Sequence, residues 1–195
     1  MKRLFDLLLS ISFLLILSPA FIFISLWILL DSSGGVFYSQ LRVGRKNRDF
    51  KMFKFRSMRP ESDSKGLLTV GGQDPRVTRA GFYLRKTKMD ELPQLLNILK
   101  GEMSFVGPRP EVRNYVEYYS EEQMNVLNVR PGLTDYASLQ YFEENKLLEH
   151  SADPEKTYIS QIMPAKLALN LRYIKDQSLL LDIRIILRTI GKIFS

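Results

Sequence analysis

An uninterrupted apolar run fills the start of the chain, from residue 7 to residue 30. As a straight helix it would be roughly 36 Å long, enough to cross a hydrocarbon core of about 30 Å. Pro19 follows Ser18 at the centre of the run, and because proline lacks a backbone N–H it predicts a kink or break there. Basic residues flank the run on both sides and favour the cytoplasm, so the pattern favours a re-entrant helix hairpin over residues 1–32. A single-span anchor with a tolerated proline stays open as the alternative.

The length of the chain predicts one soluble domain, residues 33–195, in addition to the membrane segment, and its pattern predicts the α+β class, mainly α. Alternating apolar and charged positions predict strands over residues 36–43 and 49–57, joined as a β-hairpin. Polar residues 60–74 predict a loop. Leucines at helical spacing predict a helix that ends near Gly101, with Pro93 in its first turn and Asp90 at or near its N-cap. Helices are also predicted over residues 111–127 and 156–175, the second with a kink at Pro164.

The chain ends in a basic amphipathic helix. Its apolar stripe consists of residues three or four positions apart: Leu180, Ile183, Leu187, Ile190 and Phe194. Its basic residues repeat every fourth position on another face: Arg184, Arg188 and Lys192. Such a stripe fits either the protein's own core or the interface of a membrane. Because the same chain begins with an apolar run, we expect the membrane interface.

Composition excludes several kinds of active site. The chain has no cysteine, which rules out disulfides, thiolate nucleophiles and zinc sites built on cysteine. His150 is the only histidine, so a multi-histidine metal site is impossible. A metal here would be a hard cation with oxygen ligands, such as Mg²⁺. The net charge of +7 suits anionic headgroups, phosphorylated substrates or nucleic acid.

The strongest local pattern is the adjacent pair Asp90-Glu91, which follows the cations Arg85, Lys86 and Lys88. The helix dipole and these cations favour the ionised form of both carboxyl groups. An ionised pair can hold Mg²⁺, one carboxylate can attack phosphorus, and free N–H groups at a helix start suit a phosphate. Helix capping alone also explains two acidic residues in a first turn.

Other cations stand in rigid settings. Arg109 lies between Pro108 and Pro110, and this arrangement is typical of a fixed phosphate-binding guanidinium. Lys54 and Arg56 alternate along one predicted strand and share a face. Together these residues favour a phosphate-rich substrate.

Nearly the whole chain resembles the bacterial sugar transferases, the small monotopic polyprenyl-phosphate phosphoglycosyl transferases. The motifs that carry this resemblance are Ser18-Pro19, residues 40–44, residues 54–58, residues 74–79, Asp90-Glu91-Leu92-Pro93-Gln94-Leu95 and Gly101-Glu102-Met103-Ser104-Phe105-Val106-Gly107-Pro108-Arg109-Pro110. The last two motifs, in this order and spacing, are highly specific. They favour a catalytic role for Asp90 and Glu91 over capping alone.

The resemblance implies a helix broken at Ser18-Pro19, with both ends cytoplasmic, and a domain pressed on the inner leaflet of the bacterial inner membrane. It implies transfer of a sugar 1-phosphate from a UDP-sugar to polyprenyl (undecaprenyl) phosphate with release of UMP, the first membrane step of bacterial glycan assembly. Asp90 is the implied nucleophile, which forms a covalent aspartyl phosphosugar. Mg²⁺ at Asp90 and Glu91 is the implied cofactor, and Arg85 and Arg109 match phosphate-binding positions.

Two departures from the family pattern bear on specificity. Lys88 stands where members often have a small residue, and Asp135-Tyr136 stands where many have Gly-Trp or a similar pair. The sugar preference of a relative therefore does not transfer to this chain. Rival interpretations are a single-span anchor for a non-enzymatic external domain and a basic nucleic-acid module. No recognition motif supports the second, so we expect no nucleic-acid partner, and an oligomer stays open.

Overall fold

The structure is a computed structural model that describes residues 1–60, 62, 74–141, 144–149 and 151–193. Its helices are α1 (Lys2–Ile16), α2 (Ser18–Asp31), α3 (Arg79–Lys86), α4 (Gln94–Lys100), α5 (Arg113–Val116), α6 (Tyr136–Gln140), α7 (Glu144–Glu149), α8 (Pro154–Thr157), α9 (Met163–Asp176) and α10 (Leu179–Ile193). Its strands are β1 (Phe37–Val43), β2 (Asp49–Phe55), β3 (Ser104–Val106) and β4 (Gly132–Thr134). The predicted α+β class, mainly helical, is confirmed. Most of the loop predicted over residues 60–74 lies outside the described residues, as does His150.

The apolar run forms two helices, α1 and α2, that are bent by 61° relative to each other. Pro19 has no N–H to donate to the carbonyl of Leu15, and the hydroxyl of Ser18 donates to that carbonyl instead, at 2.8 Å. The predicted break is confirmed, with Leu17 between the two helices. Among the described helices none alone has the length and hydropathy of a membrane span, whereas this bent pair meets that test when its two halves are taken together.

Polar contacts attach α1 to the rest of the domain. The Asp6 side chain is buried, and its Oδ1 accepts hydrogen bonds from Ser104 Oγ at 3.1 Å and from the backbone N–H of Phe105 at 3.2 Å. The guanidinium of Arg3 donates to the carbonyl oxygens of Ile98 and Leu99 at 2.6 and 2.9 Å. These carbonyls lie in the last turn of α4, where a cation is favourable. The start of the chain is therefore fixed against the segment that follows Asp90-Glu91.

Apolar contacts attach α2. One cluster joins α2 to β2 and α3: Ile24, Ile28, Phe55 and Leu84. The predicted hairpin is confirmed, since β1 and β2 pair antiparallel from Phe37↔Phe55 to Val43↔Asp49. The main core packs α4, β3, α9 and α10 against β2: Phe50, Met52, Leu95, Ile98, Met103, Phe105, Val106, Tyr173 and Ile185.

The second small sheet, β3 paired parallel with β4, has no signal in the sequence pattern. Its register matches Ser104 with Gly132 and Val106 with Thr134. Both strands have only three residues, too few to show an alternation of apolar and polar positions.

The single helix predicted over residues 111–127 is wrong. The chain forms only α5 there, followed by a 3₁₀ turn over Gln123–Asn128. Ser120 and Gln123 exchange backbone and side-chain hydrogen bonds: the N–H of Ser120 donates to Gln123 Oε1 at 2.8 Å, and the N–H of Gln123 donates to Ser120 Oγ at 3.3 Å. This reciprocal capping starts a new turn and ends the preceding one.

The segment predicted as a kinked helix over residues 156–175 is helical throughout. A π turn over Tyr158–Ile162 joins α8 to α9. Pro164 lies at the start of α9, where it has no N–H to donate to the preceding turn, so the irregularity falls just before the proline.

The C-terminal amphipathic helix is confirmed as α10, and its apolar stripe faces outward. Asp182 and Ile185 are the buried residues of α10. The predicted stripe is exposed instead, with Leu180 at 70 % and Leu187 at 64 % relative accessibility. The structure therefore does not dock this stripe on the protein's own core. Phe194 lies outside the described residues.

Candidate active site

The segment that carries Asp90 and Glu91 is a 3₁₀ turn over Met89–Glu91. It begins at Lys88, whose φ of 57° is left-handed and turns the chain sharply after α3. The N–H of Glu91 donates to the carbonyl of Lys88 at 3.2 Å. Asp90 lies near the helix start, as predicted, but the N-cap of α4 is Pro93. Pro93 has no N–H to donate, and the chain enters α4 through this tighter turn.

Glu91 is the anchor of two cations. Its Oε1 lies 2.7 Å from Arg109 Nη2 and 3.1 Å from Lys54 Nζ. Burial by itself raises the pKa of Glu91, but the charges of Arg109 and Lys54 and the hydrogen bond from Arg109 outweigh that effect and hold the pKa well below its usual range. Glu91 is therefore ionised and fixes both cations beside Asp90.

Asp90 is 6 % exposed, and within the described part of the chain no group donates a hydrogen bond to its Oδ1. Burial raises the pKa of Asp90, and the neighbouring Lys54 opposes that effect. A buried carboxylate oxygen without a donor is costly unless a substrate or cation completes it. Asp90 thus presents a buried carboxylate oxygen that no hydrogen-bond donor among the described residues satisfies.

The side chains fit Mg²⁺ only at a site whose ligands come partly from the protein and partly from substrate phosphates. In phosphate-transfer sites Mg²⁺ is held by one or two carboxylates together with water and substrate phosphates. Asp90 offers an unpartnered oxygen for that role, whereas Glu91 already accepts from Arg109 and Lys54. Over the described ranges no group of three or more acidic or histidine side chains could hold a metal. Substrate phosphates would have to supply the remaining ligands.

The two carboxylates open into a cavity of about 710 Å³. Its polar wall contains the dyad and four basic side chains: Lys54, Arg85, Lys88, Asp90, Glu91 and Arg109. Its apolar wall comes from the helix break and from α10: Phe13, Leu17, Ala20, Ile186, Ile190 and Ile193. One continuous cavity therefore has a cationic wall and an apolar wall.

The structure brings Lys54, Arg85 and Arg109 to this cavity but not Arg56. The guanidinium of Arg56 donates to the carbonyls of Ser33 and Ser32 at 2.7 and 2.8 Å, just beyond the end of α2. Arg56 thus joins the end of the helix pair to the hairpin. The Ser18-Pro19 motif acts on the cavity through the break, since Leu17 and Ala20 line it.

Asp135 is a positioning residue that the sequence pattern does not reveal. It is fully buried, and its Oδ2 accepts a hydrogen bond from the backbone N–H of Arg109 at 3.0 Å. Its Oδ1 accepts from the N–H of Ser138 at 2.5 Å and so caps α6. The Asp-x-x-Ser spacing before α6 is a capping signal, but nothing local indicates that the same carboxylate holds Arg109.

Comparison with known proteins identifies the family of the chain. The family model described as bacterial sugar transferase matches residues 1–195. The chain belongs to the bacterial sugar transferase family. One relative is the UDP-N-acetylgalactosamine-undecaprenyl-phosphate N-acetylgalactosaminephosphotransferase of Aeromonas hydrophila. It is 38 % identical, and the match covers the whole of this chain and 44 % of that protein. The undecaprenyl-phosphate glucose phosphotransferase of Komagataeibacter xylinus is 39 % identical, and the match covers the whole of this chain and 36 % of that protein.

A third relative is similar in length. The exopolysaccharide production protein PSS of Rhizobium leguminosarum bv. phaseoli is 38 % identical, and the match covers 97 % of this chain and 93 % of that protein. The family member thus spans less than half of the first two relatives and nearly all of the third.

Proposed function

We propose that this family member is a phosphoglycosyl transferase that moves a sugar 1-phosphate from a UDP-sugar to undecaprenyl phosphate and releases UMP. The observation that carries the proposal is the unpartnered, buried Oδ1 of Asp90 in a cavity with a cationic wall and an apolar wall. The names of two relatives support the acceptor, since both are undecaprenyl-phosphate sugar phosphotransferases.

The chemistry follows from the charges around Asp90. Its carboxylate attacks the phosphorus that bears the sugar, an O–P bond forms, and the bond from that phosphorus to the bridging oxygen breaks as UMP leaves. The phosphate of the lipid then attacks the same phosphorus and displaces Asp90. Because a diphosphate repels a carboxylate, Arg85, Arg109 and Lys54 neutralise the donor in the first step. In the second step they neutralise the aspartyl phosphosugar and the attacking lipid phosphate. Glu91 holds Arg109 and Lys54 in place for this purpose.

Mg²⁺, when bound, would add further neutralisation of the diphosphate, with Asp90 and secondarily Glu91 as its protein ligands. Chelation by EDTA is therefore expected to abolish UMP release, and added Mg²⁺ is expected to restore it. Undiminished UMP release in EDTA would contradict a metal at this site.

Membrane placement explains how a lipid acceptor reaches Asp90. In the proposed arrangement the bent pair α1–α2 enters and leaves the inner leaflet of the bacterial inner membrane from the cytoplasmic side. Exposed apolar side chains on α1 and α2 support this placement: Leu4, Leu8, Ile11, Leu15, Ile22, Phe23, Leu26 and Leu29. The outward stripe of α10 lies in the same interface, so the apolar wall of the cavity opens toward lipid.

Asp90→Asn tests the proposed function. The variant keeps the shape of the side chain and removes its charge, so UMP release from a UDP-sugar with undecaprenyl phosphate is expected to fall by at least about 10³-fold. The labelled sugar phosphate that accumulates on the wild-type protein without acceptor is expected to be absent. Asp49→Asn is the matched control, because Asp49 is exposed and forms its ion pair with Arg113, outside the cavity. Wild-type UMP release by Asp90→Asn would refute the assignment.

A panel of UDP-sugars in the same assay identifies the donor. The purified protein in lipid nanodiscs with undecaprenyl phosphate is the form to use, since the acceptor partitions into the bilayer.

A further inference from the structure

A second group of polar side chains lines the same cavity without being used in the proposed chemistry. We call it the Glu111 cluster, and it consists of Arg42, Glu111 and Tyr158. Glu111 follows Arg109 by two residues, a separation of about 7 Å in extended chain. The Glu111 cluster is therefore adjacent, along the chain and in the cavity wall, to the arginine beside Asp90.

The Glu111 carboxylate is held from several elements. Its Oε1 accepts hydrogen bonds from Arg42 Nη1 and from the backbone N–H of Val112, both at 3.0 Å. Its Oε2 accepts one from the hydroxyl of Tyr158. The carbonyl of Glu111 accepts from the N–H of Val43 at 2.8 Å, which bridges the loop to β1. The carboxylate thus has a fixed position, as a recognition group requires.

Tyr158 reaches Glu111 from an irregular backbone segment. It is the first residue of the π turn over Tyr158–Ile162, just before Pro164. Single π turns within helices occur frequently at functional sites. The ring of Tyr158 lies 5.1 Å from that of Tyr115, centroid to centroid, and both rings line the cavity. The cluster therefore combines a fixed carboxylate with aromatic faces.

The charge at this place differs from that beside Asp90. Arg42 and Glu111 form an ion pair with side chains only 17 % and 15 % exposed, so their charges compensate each other. The phosphate-binding wall instead has an excess of cations. A carboxylate can accept about four hydrogen bonds, and three donors to Glu111 are identified here. An uncharged ring with hydroxyl groups fits one remaining acceptor site and the tyrosine faces, whereas a phosphate there would face the Glu111 carboxylate. Lys166 also lines this part of the cavity, with its Nζ 5.5 Å from the centre of the Tyr158 ring.

We propose that the Glu111 cluster is the subsite for the uncharged, hydroxyl-bearing ring of the donor, with Glu111 accepting a hydrogen bond from a ring hydroxyl. This inference rests on the proposed function, because it assumes a UDP-sugar donor. The shared chemistry of the ligand is a polyhydroxylated ring, which the hexose and the ribose of the donor both supply.

Two variants test the subsite. Tyr158→Phe removes one hydroxyl and keeps the ring, and Glu111→Gln removes the charge and keeps the size. Glu111→Gln is expected to raise KM for the UDP-sugar by about 10-fold or more, because the ring hydroxyl loses its hydrogen bond to a charged group. Tyr158→Phe removes the hydroxyl that holds Glu111 Oε2 and is expected to raise the same KM by about 3-fold or more, because the carboxylate is held less firmly. KM for undecaprenyl phosphate is expected to stay within about twofold. Tyr118→Phe is the matched control, since Tyr118 is exposed outside the cavity.

The two sources of the ring are separated by specificity and product inhibition. If the cluster binds the hexose, the kcat/KM ratios among UDP-glucose, UDP-galactose, UDP-N-acetylglucosamine and UDP-N-acetylgalactosamine change and the inhibition constant of UMP does not. If it binds the ribose, the inhibition constant of UMP rises and those ratios stay constant. Either pattern supports the subsite.

One result would overturn the subsite: a fall in kcat alone, while KM for the donor, the kcat/KM ratios among the UDP-sugars and the inhibition constant of UMP stay at wild-type values. The cluster would then have only a structural role. Wild-type values for all of these in Tyr158→Phe would overturn it as well, even if Glu111→Gln fails to fold. Failure of the proposed function is a separate result, because it appears as UMP release that does not depend on Asp90.

Discussion

Replacing Gly132 with alanine is expected to separate β3 from β4 and to displace the loop that carries Arg109. A Cβ atom at Gly132 would lie 2.1 Å from the backbone nitrogen of Gly107 and 2.4 Å from its oxygen. Real Cβ atoms stay beyond 3.0 Å from such neighbours, so the backbones must move apart by about 0.9 Å. Because the opposing atoms belong to the main chain, no side-chain rotation relieves the contact.

The size of the effect follows from two backbone hydrogen bonds. The N–H of Gly132 donates to Pro108 at 3.0 Å and the N–H of Gly107 donates to Thr134 at 3.1 Å. A shift of about 0.9 Å breaks both, and leaving the two buried N–H groups unsatisfied costs about 2–6 kcal/mol. For a chain of this size the Tm is expected to fall by roughly 4–24 °C. An error of about 1 Å in the position of Arg109 is expected to lower the rate by about 100-fold.

Thermal unfolding and UMP release, measured in the same lipid, test this prediction. Gly191→Ala is the matched control, because a Cβ there meets no heavy atom within 4 Å and the residue lies inside α10. It is expected to keep the wild-type rate and to gain up to about 1 kcal/mol of stability from helix propensity. If Gly132→Ala unfolds and reacts like the wild type, close backbone packing at Gly107 does not position Arg109.

Three further changes probe the helices. Pro19→Ala restores an N–H donor at the break and is expected to straighten α1–α2. A cysteine placed at Ser195 is then expected to become accessible to a labelling reagent from outside the cell, and unchanged labelling would show that Pro19 alone does not set the membrane topology. Leu187→Asp puts a charge in the exposed stripe and is expected to reduce vesicle flotation at an unchanged Tm, and full flotation would exclude the stripe from the membrane. Lys2→Met removes the cation 2.7 Å from buried Asp182 and is expected to cost about 3 kcal/mol in denaturant unfolding, because the carboxylate is left without its counter-charge. Lys2→Arg is expected to cost less, and an unchanged free energy of unfolding would contradict the ion pair.

Part of the fold could be predicted from the sequence because it depends on local covalent features. Pro19 breaks the apolar run wherever the helix lies, because its missing N–H depends on no distant partner. The alternation along β1 and β2 defined the hairpin for a similar reason. The order of cations, adjacent carboxylates and the Pro-Arg-Pro loop indicated a phosphate site, and Arg85, Arg109 and Lys54 do line one cavity with the dyad.

Tertiary structure decided which partner each polar group finds. Arg56 and Lys54 look equivalent in sequence, yet Arg56 meets the carbonyls at the end of α2, whereas Lys54 meets Glu91. Asp135 is a local helix cap that also holds Arg109, 26 positions earlier in the chain. Sequence periodicity identifies the face of a helix but not what covers it, and only packing leaves the stripe of α10 outward. Local backbone features follow from the sequence alone, because these depend only on neighbouring residues. Side-chain pairing and burial depend on segments that are distant in the chain, so they are set by the tertiary structure.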